Sequence, residues 1–328
     1  MTKIAVLDDW QGIAEQAADW SAVRAVGKIT LFRDAFANED ALVTALADFD
    51  IVLAMRERSR LMKPVIDRLP NLRLLCFTGA RNASVDVAAC TARGVTVCNT
   101  TSSRPSHATA ELALTLLLAA ARHVPLGDIE TRAGRFQRNV PPGIEMYGRT
   151  LGIIGLGHIG GRVGSYAKAL GMNVLAWSQN LTDERARDVG VVKVGKDELL
   201  SRADAVTIHL VLSDRTRGLI GAADLAKMKR GAILVNTSRG PIVDTAALVA
   251  ALKDGRITAA IDVYDQEPLP AGHPLLTTPN TVLSPHLGYV TEDGMREFYR
   301  LLIEDVLAWL AGNPIRVVNP ETLAARKA

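Results

Sequence analysis

The segment Gly155-Leu156-Gly157-His158-Ile159-Gly160 restricts the fold of this chain more than any other. It follows the aliphatic run Leu151-Gly152-Ile153-Ile154 and opens a stretch with apolar residues at Val163, Tyr166, Ala167 and Leu170. A glycine loop between a strand and a helix commits its surroundings to a parallel βαβ unit. The first glycine permits the tight turn, the second lets a pyrophosphate approach the backbone, and the third lets helix pack on strand. Free N–H groups at the helix start then hold the anion. Gly155, Gly157, His158, Ile159 and Gly160 are therefore the candidate contacts of a dinucleotide. A tight βα turn with no ligand is the plainer alternative.

The next strand, Asn173–Trp177, ends at Ser178, 21 residues after Gly157. An acidic residue here accepts from the ribose 2′-hydroxyl of NAD, whereas an arginine accommodates the 2′-phosphate of NADP. The chain has Ser178-Gln179-Asn180 instead. The residues themselves leave the 2′ group open, because Ser178 can hydrogen-bond but cannot repel a phosphate; NAD, with NADP accepted, is what the family resemblance carried by the later motifs implies.

Short aliphatic runs alternate with amphipathic stretches along nearly the whole chain, the pattern of parallel sheets with crossover helices. Strands are expected at Lys3–Leu7, Ile51–Ala54, Leu72–Phe77 and Val95–Cys98, with helices at Asp40–Phe49 and Val85–Arg93 and Pro64 at a helix start. A long helix from about Ser106 to Arg122 precedes a Gly-, Pro- and Arg-rich loop, Pro125 to Tyr147. Further strands read as Thr150–Ile154, Ala205–His209, Ala232–Asn236, Ala259–Ile261 and Val282–Leu283, and Thr291–Leu310 as a second long helix. A length of 328 residues suits two domains, here residues 1–103 with 290–328, and residues 104–289. The expected architecture is α/β, with two doubly wound parallel-sheet lobes of unequal size bridged by the long helices.

Lys and Arg number 38 against 35 Asp and Glu, and a net charge of +3 is too weak to propose a nucleic-acid or polybasic membrane partner. The most apolar run, Leu112 to Ala121, is roughly half a membrane span, so no membrane is expected. Cys76, Cys90 and Cys98 cannot all pair and match no zinc spacing, which points to a reduced cytoplasmic compartment and no metal. The helix over Ser106–Arg122 is apolar on more than one face, so it packs either between the lobes or against a second subunit. The residues leave those two packings open, and a homodimer is what the family resemblance carried by the later motifs implies.

Three later motifs narrow the chemistry: Asn236-Thr237-Ser238-Arg239-Gly240, Asp262-Val263-Tyr264-Asp265-Gln266-Glu267-Pro268 and Ser284-Pro285-His286-Leu287-Gly288. With the glycine loop, their order and spacing resemble the D-isomer-specific 2-hydroxyacid dehydrogenase family, which includes phosphoglycerate, glycerate, lactate and formate dehydrogenases. The resemblance implies a Rossmann cofactor domain, a smaller flavodoxin-like substrate domain and a small 2-hydroxy or 2-keto acid as substrate. It implies a catalytic arginine at Arg239, glutamate at Glu267 and histidine at His286, with Asp262 facing the nicotinamide carboxamide. Thr237, Ser238, Arg239, Asp262, His286 and Gly288 would then join the glycine loop and Ser178 around the cofactor.

These residue types suit the reaction. Oxidising a 2-hydroxy acid needs a base for the hydroxyl proton while C2 gives up a hydride, and a histidine titrates near neutral pH. A carboxylate on the far ring nitrogen fixes the tautomer and favours the imidazolium. An arginine fork matches the substrate carboxylate. Taken singly, Arg239 also suits a helix cap, Glu267-Pro268 a surface turn and Pro285-His286 a packed loop.

The chain departs from the family in Thr78-Gly79-Ala80-Arg81-Asn82. Members commonly carry two glycines there, with backbone N–H groups that receive the substrate carboxylate, and Arg81 replaces the second. Gly79, Ala80, Arg81 and Arg239 are the expected substrate contacts. Arg81 is either an exposed residue of a variant turn or an added charge at the substrate mouth. Arg56, Arg58 and Arg60 either line a solvated loop or receive a second anionic group. His107 suits a polar interdomain contact, and Val211 stands where the family usually has proline. The alternative function is a dinucleotide-sensing, corepressor-like binding protein, which fold alone cannot separate from an enzyme.

Overall fold

A computed structural model describes residues 1–100 and 107–324. The chain divides into two compact units, Met1–Arg104 with Thr291–Ala328, and Pro105–Val290. The helix start expected at Ser106 and the boundary expected at residues 103 and 104 lie outside the described residues.

The first unit runs β1 (Thr2–Val6), α1 (Ala14–Ala17), α2 (Ser21–Val26), β2 (Gly27–Leu31), α3 (Glu39–Leu46), β3 (Ile51–Ala54), α4 (Lys63–Ile66), β4 (Leu74–Thr78), α5 (Val87–Ala92) and β5 (Thr96–Thr100). All five strands are parallel, in the order β2-β1-β3-β4-β5. β3 and β4 are buried along their whole length, as strands covered on both faces must be. Side-chain caps set the helix starts: Asn38 accepts from the Ala41 N–H and Asp86 from the Ala89 N–H, both at 2.9 Å. β2 has no strand signal in the sequence, because only its first residue, a glycine, is buried and no apolar alternation marks it.

The second unit opens with α6 (His107–Ala121) and α7 (Val124–Arg132). It continues through β6 (Thr150–Ile154), α8 (His158–Ala169), β7 (Asn173–Trp177), α9 (Asp183–Val189), β8 (Val192–Lys193), α10 (Lys196–Arg202) and β9 (Ala205–Ile208). It closes with α11 (Ala222–Lys227), β10 (Ala232–Asn236), α12 (Thr245–Lys253), β11 (Ile257–Ile261) and β12 (Thr281–Leu283). Seven parallel strands follow the order β12-β11-β10-β9-β6-β7-β8. Strand order reverses at β6, whose neighbours are β7 and β9, and such sheets bind ligands beyond the carboxyl ends of the strands at that reversal.

α7 corrects the loop expected to start at Pro125. His123 takes φ 52° and breaks the run of α6, and Pro125 then falls in the first turn of a new helix, where its missing N–H is not needed. α6 buries Ala110, Ala113, Leu116, Leu117, Ala120 and Ala121 and packs on α8, β10 and β11 of its own unit. No single helix among the described residues is long and apolar enough to cross a membrane.

α13 (Glu292–Leu310) belongs to the first unit and lies on β4 and β5. Thr291 caps it by accepting from the Gly294 N–H at 3.1 Å. Val317 then bridges Cys98 in antiparallel sense, and α14 (Glu321–Ala324) follows. Asn319 fixes this segment: Oδ1 accepts from the Val97 N–H at 2.7 Å, and Nδ2 donates to Val95 O and Thr91 Oγ1, each at 2.9 Å.

Candidate active site

Parallel strands deliver their following loops to one edge, so the residues after β6, β7, β10, β11 and β12 gather at the carboxyl edge of the second unit's sheet. The glycine loop is built there by close backbone approach. Gly155 takes φ 102°, and a Cβ on it would lie 2.5 Å from His209 O. A Cβ on Gly160 would lie 2.1 Å from Gly155 O. Gly157 differs: a Cβ there meets nothing within 4 Å. It is the N-cap of α8, and no side chain caps that helix. Ser178 Oγ accepts from the Leu156 N–H at 3.3 Å and holds the loop from the side. Backbone donors facing open space, with no side chain in the way, fit a pyrophosphate.

The three later motifs are wired to one another. His286 Nδ1 lies 2.5 Å from Glu267 Oε2, while Glu267 Oε1 accepts from the Tyr264 N–H at 2.8 Å. The carboxylate is thus held by backbone and imidazole together. Nε2 of His286 has no hydrogen-bond partner among the described residues, and the side chain is 23 % exposed. His286 itself takes φ 56°, uncommon for a non-glycine residue.

Asp262 explains how that conformation is held. Its Oδ1 accepts from Ser284 Oγ at 2.6 Å and from the Leu287 N–H at 2.8 Å, and its Oδ2 from the Gly288 N–H at 3.0 Å. Both oxygens therefore clamp the turn on either side of His286. Burial pushes the Asp262 carboxyl above the ordinary carboxylate value, against the pull of these donors. The Gly288 carbonyl accepts from Thr109 Oγ1 at 2.8 Å, and the Tyr289 ring meets His286 edge-on, centroids 5.6 Å apart.

Arg239 ends the turn after β10. Asn236 folds that turn, accepting from the Ser238 N–H and donating to the Arg239 carbonyl, each at 3.0 Å. Ser238 Oγ donates to Leu210 O, and Arg239 Nη1 donates to Ser238 O at 2.7 Å. The Thr237 hydroxyl is buried and has no hydrogen-bond partner among the described residues. Sequence reasoning missed Tyr264, Ser284 and Asn236. All three stand inside the motifs, but their roles follow from hydrogen bonds that residue types do not announce. The Tyr264 hydroxyl donates to Ser284 O at 2.9 Å, and burial pushes it up to about 12.

In the first unit, Gly79 takes φ 94° and its N–H donates to Thr100 Oγ1 at 2.9 Å. Ala80 and Arg81 are exposed. The cation over this loop is Arg56, whose Nη1 would lie 1.7 Å from a Cβ on Gly79. Its backbone is held from two sides: the Arg56 N–H donates to Thr78 Oγ1 at 2.8 Å, and Asn82 Nδ2 donates to Arg56 O at 2.5 Å. Arg58 instead lies over the Trp10 ring at 4.5 Å and donates to Asp8 O at 2.6 Å, and Arg60 is exposed.

Residues 114–288 match the family model for the D-isomer specific 2-hydroxyacid dehydrogenase, NAD binding domain. The glyoxylate reductase of Aeropyrum pernix is 37 % identical over 297 residues, 88 % of this chain and 85 % of that one. The chain belongs to the D-isomer-specific 2-hydroxyacid dehydrogenase family. It is also similar to the D-3-phosphoglycerate dehydrogenase of Archaeoglobus fulgidus, 36 % identical over 305 residues, 93 % of this chain and 57 % of that protein. The chain therefore spans about half the length of some family members it matches, including a second D-3-phosphoglycerate dehydrogenase, from Methanocaldococcus jannaschii, at 55 %. Among solved structures, a phosphoglycerate oxidoreductase from Vibrio cholerae superposes with a TM-score of 0.90 at 35 % identity, covering 95 % of this chain and 99 % of that one. Family membership makes residues 114–288 an NAD-binding domain, in keeping with the open cradle at Gly157.

Proposed function

We propose that the chain is an NAD(P)-dependent oxidoreductase that interconverts a D-2-hydroxy acid and the 2-keto acid, with His286, Glu267 and Arg239 at the reacting end. The single observation that carries this reading is the dyad. Glu267 holds Nδ1 of His286 and leaves Nε2 without a partner at a partly open surface, where it can exchange a proton with a substrate oxygen. A dinucleotide held with its pyrophosphate on the Gly155–Gly160 loop would supply the hydride acceptor or donor. In reduction, His286 gives its proton to the oxygen of C2, and in oxidation it takes that proton back. Glu267 stabilises the charged imidazole and fixes which nitrogen faces the substrate. Arg239 pairs with the substrate carboxylate through its planar fork. Asp262 acts at one remove by clamping the turn that aims His286.

Residues 1–103 with 290–328 serve as the substrate domain in this reading, and residues 104–289 as the cofactor domain. The loop at Gly79, Ala80 and Arg81 receives the carboxylate end, and Arg56 adds the positive charge above it. Its free buried thiols suit a cytoplasmic chain, all three cysteines being unpaired. A homodimer is supported by apolar side chains left exposed on and after α7, among them Val124, Ile129, Phe136 and Tyr147. A monomeric mass in light scattering would reject it.

The decisive experiment is NADH and NADPH oxidation against glyoxylate, hydroxypyruvate, pyruvate, phenylpyruvate and phosphohydroxypyruvate. Turnover of at least one is expected. His286→Ala is expected to lower kcat by about 10²–10⁴-fold while cofactor affinity is retained. Cofactor binding with no turnover of any keto acid would overturn the enzyme reading in favour of a dinucleotide sensor.

A further inference from the structure

The turn that carries His286 is gripped at Gly288 from two sides. The Gly288 N–H donates to Asp262 Oδ2 at 3.0 Å, and the Gly288 carbonyl accepts from Thr109 Oγ1 at 2.8 Å. A Cβ on Gly288 would lie 3.3 Å from Thr109 Cγ2 and 3.4 Å from Asp262 Oδ2, so the residue is seated between those two side chains. Asp262 follows β11 and is anchored to the sheet, its own N–H donating to Asn236 O at 3.0 Å. Thr109 comes from α6, an element outside all the motifs of the reacting end.

Position in α6 decides what the Thr109 hydroxyl can do. A threonine inside a helix commonly donates to the carbonyl four residues back, as Thr115 does to Glu111 O at 2.8 Å. Thr109 is the third residue of α6, so its helix holds no residue four places back, and the hydroxyl goes to Gly288 instead. The pair also has a particular place in the chain. Thr109 stands just after the chain enters the second unit and Gly288 just before it leaves, so this hydrogen bond ties the entering segment to the leaving one beside His286. Gly288 is buried, and a buried carbonyl that loses its donor must find another or move. His286 would feel that movement, because its φ of 56° lies in a region few non-glycine residues occupy. We propose that Thr109 is a positioning residue for His286, holding through the Gly288 carbonyl the turn that aims Nε2 at the substrate. The proposal rests on the reading of His286 as the group that gives and takes the proton.

Thr109→Val keeps the shape of the side chain and removes the donor, and Thr109→Ser restores the donor. In keto-acid reduction, Thr109→Val is expected to lower kcat about tenfold with KM within about twofold of the wild type, because aim matters more in the transition state than in substrate binding. Thr109→Ser is expected to recover kcat to within about threefold of the wild type. Thr115→Val, whose lost bond lies within α6, is expected to leave both constants unchanged. Hydrogen exchange of residues 284–290, followed by mass spectrometry, reads the same contact without turnover. Thr109→Val should speed that exchange by about tenfold, and Thr109→Ser should not. A kcat equal in Thr109→Val and the wild type overturns the proposal, as does a loss that Thr109→Ser shares or an effect confined to KM. If the wild type turns over no keto acid, the reading of His286 fails on its own account and exchange judges Thr109. Equal rates in the wild type and Thr109→Val then overturn its hold on the turn, and a rise of about tenfold, rescued by Thr109→Ser, upholds it.

Discussion

Gly240 lies directly after Arg239, and its α-carbon faces the backbone of the segment that leads to Glu267. A Cβ placed on it would sit 2.2 Å from Tyr264 C, 2.5 Å from Tyr264 O and 2.6 Å from Asp265 N. All three are backbone atoms, so no side chain can swing aside. Reaching the 3.4 Å of an ordinary contact requires the two turns to part by about 1 Å. Overpacking of this kind costs about 1–3 kcal/mol, which for a unit of this size lowers the unfolding temperature by roughly 2–10 °C. The chemical effect should be larger. One turn carries Arg239 and the other carries Tyr264, whose N–H holds Glu267, so parting them displaces the arginine from the dyad. A misplacement of about 1 Å at a reacting centre costs on the order of 100-fold in rate. Gly240→Ala should therefore show a modest fall in melting temperature, by circular dichroism, beside a loss of about 100-fold in kcat/KM. Binding of 5′-ADP, measured by calorimetry, should change little, because the glycine loop that would hold it is a separate turn. A variant that melts within about 1 °C of the wild type and keeps its kcat/KM would refute the reasoning.

Gly157→Ala is the converse case. The added methyl meets nothing within 4 Å, so the melting temperature should not move, while dinucleotide affinity should fall by about tenfold or more because the methyl occupies the pyrophosphate's approach. Asp305 lies buried against Arg316, and burial raises its carboxyl from 3.8 to about 7. Its unfolded form ionises first on raising the pH, so wild-type stability falls, relative to Asp305→Asn, between about pH 4 and 7, by at most about 4 kcal/mol. Urea unfolding of both chains at the two ends of that range checks this, and parallel pH profiles would exclude it. Asn319→Ala leaves the Val97 N–H and the Val95 carbonyl without their partner, and should cost about 2–3 kcal/mol in urea unfolding. A loss below about 0.5 kcal/mol would mean that water replaces the amide.

Ile51–Ala54, Thr150–Ile154 and Ala232–Asn236 can be read to the residue, because uninterrupted aliphatic runs suit strands covered on both faces. Edge strands lack that signature: β2 fully buries only Gly27 and β8 has two residues, both exposed. α7 hides behind Pro125 and Gly127, residues that read as loop until the break at His123 supplies a helix start. At the site, residue type and spacing carry the glycine loop and the pairing of Glu267 with His286. They do not carry the hydrogen bonds of Asp262, whose partners lie 22, 25 and 26 residues further along. Nor do they single out Arg56 over its neighbours, since that depends on β3 and β4 standing side by side.

The strap formed by residues 316–319 has a consequence for the order in which the protein is made. β5 stands at one edge of the five-stranded sheet, and the strap closes that edge through Asn99 N–H to Arg316 O, Val318 N–H to Val97 O, and the Asn319 amide. Val97 and Asn319 are 222 residues apart. At a ribosomal rate of 5–20 residues per second, roughly 10–45 s separate the emergence of β5 from that of its cover. The whole second unit is synthesised in that interval, so the last domain to be completed is the one begun first. Until then β5 offers an open row of backbone groups to any passing strand. A circular permutant that begins near residue 291 and runs through to β1 would bring the strap out before the edge it covers, and should give a higher soluble yield when synthesis is slow.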